Sequence, residues 1–159
     1  MMPWAASGYW VRVPKFDPQA VTIADRHYSR RKPGSGQFMP PGQTLVLVGK
    51  DGRAVFGWWR PDPASGITAM NGLDGWTCTI FRNEGDRLSS ELILEAEAAL
   101  AEAGVGCGPD GMLTYVWGVK VRSANPGYCF RMAGWTRVGL SADGRKTLFR
   151  KPFELAGQP

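Results

Sequence analysis

His27 is the chain's one histidine, and it stands next to Tyr28 and just ahead of the cations Arg30, Arg31 and Lys32. An imidazole titrates closer to neutrality than any other unperturbed side chain, so His27 is a candidate proton acceptor; its ordinary alternative is a hydrogen-bonded structural residue. Tyr28 is placed to orient it. The three cations sit in S-R-R-K-P-G-S-G, a stretch too rich in glycine and proline to be regular, where they could grip a phosphate backbone in a salt-sensitive way. A second cluster lies in N-P-G-Y-C-F-R-M-A-G-W, residues 125–135. Asn125 and Pro126 read as the cap and first position of a short helix, and Gly134 as its left-handed end. Tyr128 then lies at the start of that helix. Side chains there often face a cleft, and its hydroxyl needs a polar partner if buried. Phe130 is as readily core. A third cluster is the strand, glycine turn and helix from Arg82 to Ser90. Such a junction points backbone N–H groups at an anion, with an ordinary capped helix as the plain alternative.

The elements that must position these groups follow from periodicity. Gly8 to Pro14 reads as a first strand, and Asp17-Pro18 opens a helix running through Tyr28, with Val21, Ile23 and Ala24 in its apolar stripe. Thr44 to Val48 and Ala54 to Arg60 form a hairpin about Gly49-Lys50-Asp51-Gly52. Pro61 to Gly75 is a loop placed to line a cleft. Trp76 to Arg82 alternates, with Trp76, Cys78 and Ile80 on one face and Thr77, Thr79 and Phe81 on the other. Leu88 to Ala103 carries helical apolar spacing, Gly104 to Gly111 is a turn-rich connection, and Met112 to Val116 is a strand. Trp135, Arg137 and Val138-Gly139 restart a strand, and Lys146 to Arg150 returns through a turn at Ser141 to Gly144. Phe153 to Pro159 reads as a tail. The succession of strand, helix, hairpin, strand, helix, strand, short helix and hairpin predicts one α/β domain with a mixed sheet.

The 159 residues fit one domain with a continuous core. No run of 18 apolar residues suggests a membrane span, and no basic region followed by an apolar core suggests a secretory signal, so the expectation is a cytoplasmic protein. Cys78, Cys107 and Cys129 are widely spaced, which argues against a zinc site or disulfide framework and for small core residues at 78 and 129. A formal charge of +5 and a pI near 9.4 favour a polyanionic partner, either nucleic acid or a phosphate-rich cofactor. Among the seven tryptophans, Trp58 and Trp59 are candidates to stack on a base.

These elements resemble the GNAT acyltransferase fold, in which the fourth and fifth strands splay around a coenzyme A thioester. More specifically, H-Y-S-R-R, F-R-N-E-G with its following S-S, and N-P-G-Y-C-F with A-G-W resemble the phage Mom-like DNA-modification proteins; the motifs span residues 27 to 135. The resemblance implies a DNA substrate in the host cytoplasm and acetyl-CoA or another acyl-CoA as cofactor. It also raises iron as a candidate, with no ligands assigned in this chain. On it, His27 is the base, Tyr28 its companion and Tyr128 the acid. Backbone groups at Ile80 and Phe81 hold the thioester arm, Arg82, Gly85, Arg87, Ser89 and Ser90 meet the phosphates, Asn125 also binds the cofactor, and Arg30, Arg31 and Lys32 hold DNA. The sequence departs from the GNAT pattern in two places. The phosphate loop ends in Asp86-Arg87 rather than a small residue, and Phe130 stands where the acid tyrosine is usual, with Tyr128 two positions earlier. A small-molecule or protein N-acyltransferase and a non-catalytic nucleic-acid-binding module are the competing readings. Oligomeric state is left open.

Overall fold

Alternating apolar residues let both faces of one sheet be covered, and the helices divide between those faces. The computed structural model describes residues 8–27, 39–62, 72–106, 108–117 and 127–153. Its elements are β1 (Trp10–Val13), α1 (Pro18–Ala24), β2 (Gln43–Gly49), β3 (Ala54–Arg60), β4 (Trp76–Asn83), α2 (Ser89–Glu102), β5 (Met112–Val116), α3 (Tyr128–Met132), β6 (Thr136–Leu140) and β7 (Thr147–Lys151). They form a single-domain α/β fold whose 7-stranded mixed sheet has the order β1-β2-β3-β4-β5-β7-β6. All neighbours are antiparallel except β4 and β5. Among the described residues no helix is long and apolar enough to cross a membrane.

Leu45, Leu47, Phe56, Trp58, Trp76 and Met112 face α2 and α3 in the larger core, whereas Val46, Val48, Val55 and Trp59 face α1 in the smaller one. Trp10 and Trp58 donate their indole N–H groups to the Leu92 and Ala96 carbonyls, at 2.9 and 3.1 Å, and so dock α2 on the sheet. Trp59 donates to the Pro41 carbonyl at 2.8 Å. Trp58 and Trp59 are only 0% and 3% exposed, so neither can stack on a base as expected from sequence. Phe153 packs against the larger core rather than beginning a free tail.

The strict alternation expected of β4 fails. Gly57 pairs with Ile80 while the next residue, Trp58, pairs with Cys78, so Thr79 is an extra residue in β4. This β-bulge reverses the faces beyond it: Ile80 enters the α1-side core, and Phe81 packs toward the α2 side with Trp76 and Cys78. The parallel register with β5 runs from Trp76↔Met112 to Cys78↔Thr114 and ends at the bulge, although β4 continues to Asn83.

The helices differ from expectation at their ends. Asp17 caps α1 through Ala20 N at 3.1 Å, but the helix stops at Ala24, well short of Tyr28. Its last turn tightens, with Arg26 N and His27 N bonding the Ile23 and Ala24 carbonyls at 3.1 and 2.9 Å, and this turns His27 off the helix. Helix α3 begins at Tyr128, and its cap position is Gly127 at φ 81 rather than Asn125. A left-handed residue cannot continue a right-handed helix, so the turn at Gly127 sets where α3 starts. Its end is as expected: Gly134 at φ 93 is left-handed, and Trp135 N and Gly134 N bond the Phe130 and Arg131 carbonyls at 2.9 and 3.0 Å.

A methyl group at Gly127 would lie 2.5 Å from the buried Phe149 ring, whereas one at Gly134 meets only the end of Lys151 at 3.5 Å. Both substitutions to alanine carry the left-handed backbone cost of about 1–2 kcal/mol. Gly127→Ala adds roughly 1–3 kcal/mol of overpacking. Chemical denaturation should therefore rank Gly127→Ala as clearly the less stable variant; equal stabilities would show that the Phe149 contact is relieved at no cost.

Candidate functional site

Where the β4–β5 ladder stops, a cleft of about 180 Å³ opens, lined by His27 from the end of α1, residues 78–81 of β4, residues 114–116 of β5, and Gly127, Cys129 and Phe130 at α3. The bulge therefore lies in the wall of the cleft. Two of the sequence-predicted cofactor residues, Ile80 and Phe81, line it alongside the predicted base. Tyr115, Thr114, Cys78 and Cys129 also line it.

Burial lowers the His27 pKa to about 4, helped by the nearby Arg82 cation and opposed by a hydrogen bond to the Phe81 backbone. The imidazole is therefore neutral at physiological pH, and the same burial makes it a weaker base than a free imidazole. Arg82 is held by Glu84 at 2.6 Å, and Glu84 also receives Arg26 through two bonds of 2.6 and 2.7 Å. The Arg26 hydrogen bonds, together with those of Arg82, pull the Glu84 pKa to about 2 despite its partial burial. Arg26 and His27 are adjacent, so this ion pair ties the end of α1 to the end of β4 and sets the imidazole against the cleft. Burial raises the Cys78 and Cys129 thiol pKa values, so both cysteines face the cleft as thiols rather than thiolates.

The Asn83–Leu88 loop is built around Asn83. Its Oδ1 accepts from Gly85 N at 3.0 Å, and its Nδ2 donates to the Arg87 carbonyl at 2.7 Å and Ser89 Oγ at 3.1 Å. Gly85 N–H is thus engaged within the loop. Arg87 pairs with Glu95 and lies 5.4 Å over the Tyr9 ring. Ser89 and Ser90 open α2, whose cap residue Leu88 makes no side-chain bond to the first-turn amides.

Tyr128 is 55% exposed and is not among the residues that line the cleft, so the structure does not bring its ring together with His27. Tyr28, Arg30, Arg31, Lys32 and Asn125 lie outside the described residues, as does most of the 61–75 loop. Among the described residues no three His, Cys, Asp or Glu side chains converge as metal ligands. The described lining of the cleft supplies one histidine with the Arg82 cation nearby, two thiols and no carboxylate. Sequence reasoning missed Tyr115 and the Arg26–Glu84–Arg82 clamp. The alternation of M-L-T-Y-V shows that Tyr115 shares a face with Leu113, but the face is uninformative until the end of the β4–β5 ladder is known. No protein-family model, curated protein or solved structure matches the chain.

An imidazole held neutral in the folded protein binds its proton more readily once unfolded. Its contribution to stability is complete above the ordinary pKa of 6.5 and is lost as pH falls from there toward 4. Glu84 behaves in the same direction at lower pH, its contribution present above 4.5 and lost toward about 2. With one histidine in the chain, the window from 6.5 down to 4.5 belongs to His27. Denaturation across that window should show stability falling by up to about 1.4 kcal/mol per pH unit, with His27→Gln flattening the curve. A wild-type curve already flat there would mean the imidazole is not buried.

Proposed function

We propose that the protein is a GNAT-like N-acyltransferase that modifies nucleobase amines in DNA, using acetyl-CoA or another acyl-CoA. The observation that carries the reading is the cleft at the broken β4–β5 ladder, with a neutral histidine on its wall. In this reading the strands that part beyond Cys78 and Thr114 are the splayed pair of the GNAT fold, and the edge of β4 that β5 leaves unpaired offers backbone groups to an amide-rich arm. The described residues fit such a ligand in two places. The cleft admits its thioester end, and the start of α2, where the Leu88 cap position makes no side-chain bond, suits its phosphates.

When bound, an acyl-CoA supplies an activated acyl carbon and a thiol leaving group. His27, neutral at physiological pH, takes the proton of the attacking amine as the C–N bond forms and the nitrogen becomes acidic. The Arg26–Glu84–Arg82 clamp keeps that imidazole in place. Ile80 and Phe81 align the arm through their backbone, and Ser89 and Ser90 present α2 amides to the phosphates. Tyr128 is assigned as donor to the departing sulfur through the family resemblance alone, since its exposed ring does not line the cleft. DNA as substrate is supported by the net charge of +5 and by the Arg30-Arg31-Lys32 run beside the histidine.

Acetyl-CoA at a hundredfold excess over its Kd should stabilise the fold by about 2.7 kcal/mol, seen as a rise in melting temperature. Gly85→Asp should reduce that rise by adding negative charge at the α2 start. Duplex DNA incubated with protein and acetyl-CoA, then digested to nucleosides, should yield a nucleoside heavier by one acetyl group in mass spectrometry. Stabilisation without DNA modification would move the acceptor to a small-molecule or protein amine. Absence of both would remove the acyltransferase reading.

A further inference from the structure

The hydroxyl of Tyr115 is enclosed and has no hydrogen-bond partner among the described residues, yet Tyr115 lines the cleft. The other polar groups on the same wall are occupied. Thr114 Oγ1 donates to the Cys78 carbonyl at 3.2 Å, and Thr79 Oγ1 lies 3.3 Å from Met39 Sδ and 3.5 Å from the Gly57 carbonyl. The described lining otherwise consists of apolar groups, two thiols and the imidazole, with no Asp, Glu, Lys or Arg among them. Buried hydroxyls in native proteins are almost always satisfied, so one without a protein partner calls for a partner from outside the chain, an ordered water or a ligand. A phenol can donate one hydrogen bond, and the described residues of the wall include no charged side chain to pair with a charged ligand.

We propose that Tyr115 is the polar anchor of the cleft, its hydroxyl held to donate to an uncharged carbonyl oxygen of the ligand. On the acyl-transfer reading, from which this detail is drawn, that carbonyl belongs to the acyl thioester. Acetyl is then a better occupant than a carboxylated acyl group such as succinyl, whose carboxylate would meet no cation among the described residues of the lining.

Tyr115→Phe removes only the hydroxyl. Because that oxygen makes no protein hydrogen bond, the ligand-free variant should melt at or above the wild-type temperature. In the wild type, acetyl-CoA should raise the melting temperature more than succinyl-CoA does, and Tyr115→Phe should cut the acetyl-CoA rise several-fold. A probe independent of coenzyme A separates the two readings: N-propylacetamide, titrated against protein labelled at its tyrosine ring carbons, with the Tyr115 resonance assigned by its loss in Tyr115→Phe. Movement of that resonance with the amide but not with sodium acetate upholds the anchor, even if acetyl-CoA has no effect, a result that would count against the acyltransferase reading alone. A lower melting temperature for ligand-free Tyr115→Phe would show that the hydroxyl serves folding, and a resonance indifferent to the amide would show that it faces no ligand. Either result overturns the proposal.

Discussion

One extra residue in β4 is the constraint on which the rest of the site depends. The bulge at Thr79 reverses which side chains of β4 face each core and coincides with the last β4–β5 pair, Cys78↔Thr114. Without it β4 could run on in register beside β5, and the space lined by Ile80, Phe81, Tyr115 and Val116 would be filled by paired strands. The bulge is accommodated by the residue opposite it. A methyl group on Gly57 would fall 2.5 Å from Met39 Sδ and 3.0 Å from Ile80 Cγ2, so the absence of a side chain there lets Met39 close the α1-side core over the irregular strand. Thr79 Oγ1 then meets Met39 Sδ and the Gly57 carbonyl, satisfying a hydroxyl that a regular strand would have placed elsewhere.

Rigid walls around that opening come from aromatic packing on the α2 side. Phe81 lies 5.3 Å from Phe56 and 6.3 Å from Phe130, and Phe130 lies 5.1 Å from Trp135, so β3, β4 and α3 share one run of rings. Phe130 both closes this core and lines the cleft. Trp135 donates to Glu97 Oε2 at 2.9 Å, and Glu97 also pairs with Lys151 at 2.8 Å, which anchors the end of α3 to α2 and β7. Helix α3 has only one turn and a half of its own backbone, so its position is set by these tertiary contacts rather than by helix propensity.

What the sequence made legible is what periodicity controls. The runs Thr44 to Val48, Ala54 to Arg60 and Met112 to Val116, and the apolar spacing of Leu88 to Ala103, correspond to elements within a residue or two of their observed bounds. Periodicity could not reveal the bulge, because W-T-C-T-I-F-R places an acceptable apolar residue on each face whether or not one position is skipped. Nor could it decide the end of α1. The stripe Ala20, Ile23 and Ala24 continues acceptably into His27, and only the pull of Arg26 toward Glu84, a residue distant in sequence, favours leaving the helix there. The same limit applies at α3. Asn-Pro is a good helix opening, but Gly127 is needed left-handed beneath the Phe149 ring, a tertiary demand that local capping rules do not contain.

The charges of the site are sorted by depth. Arg26, Glu84 and Arg82 form their clamp where side chains still reach solvent, at 47%, 23% and 36% exposure, so these ion pairs contribute little to stability. Their consequence is electrostatic and local. Glu84 neutralises part of the field of two guanidinium groups, but it does so while fixing Arg82 near His27, and the residual positive potential disfavours a second positive charge on the imidazole. Burial acts in the same sense. Among the described residues the result is a wall whose one basic side chain is uncharged, with Arg26 and Arg82 outside it. A ligand with a neutral reactive end and an anionic tail would satisfy both regions at once, whereas one with its charge at the buried end would satisfy neither.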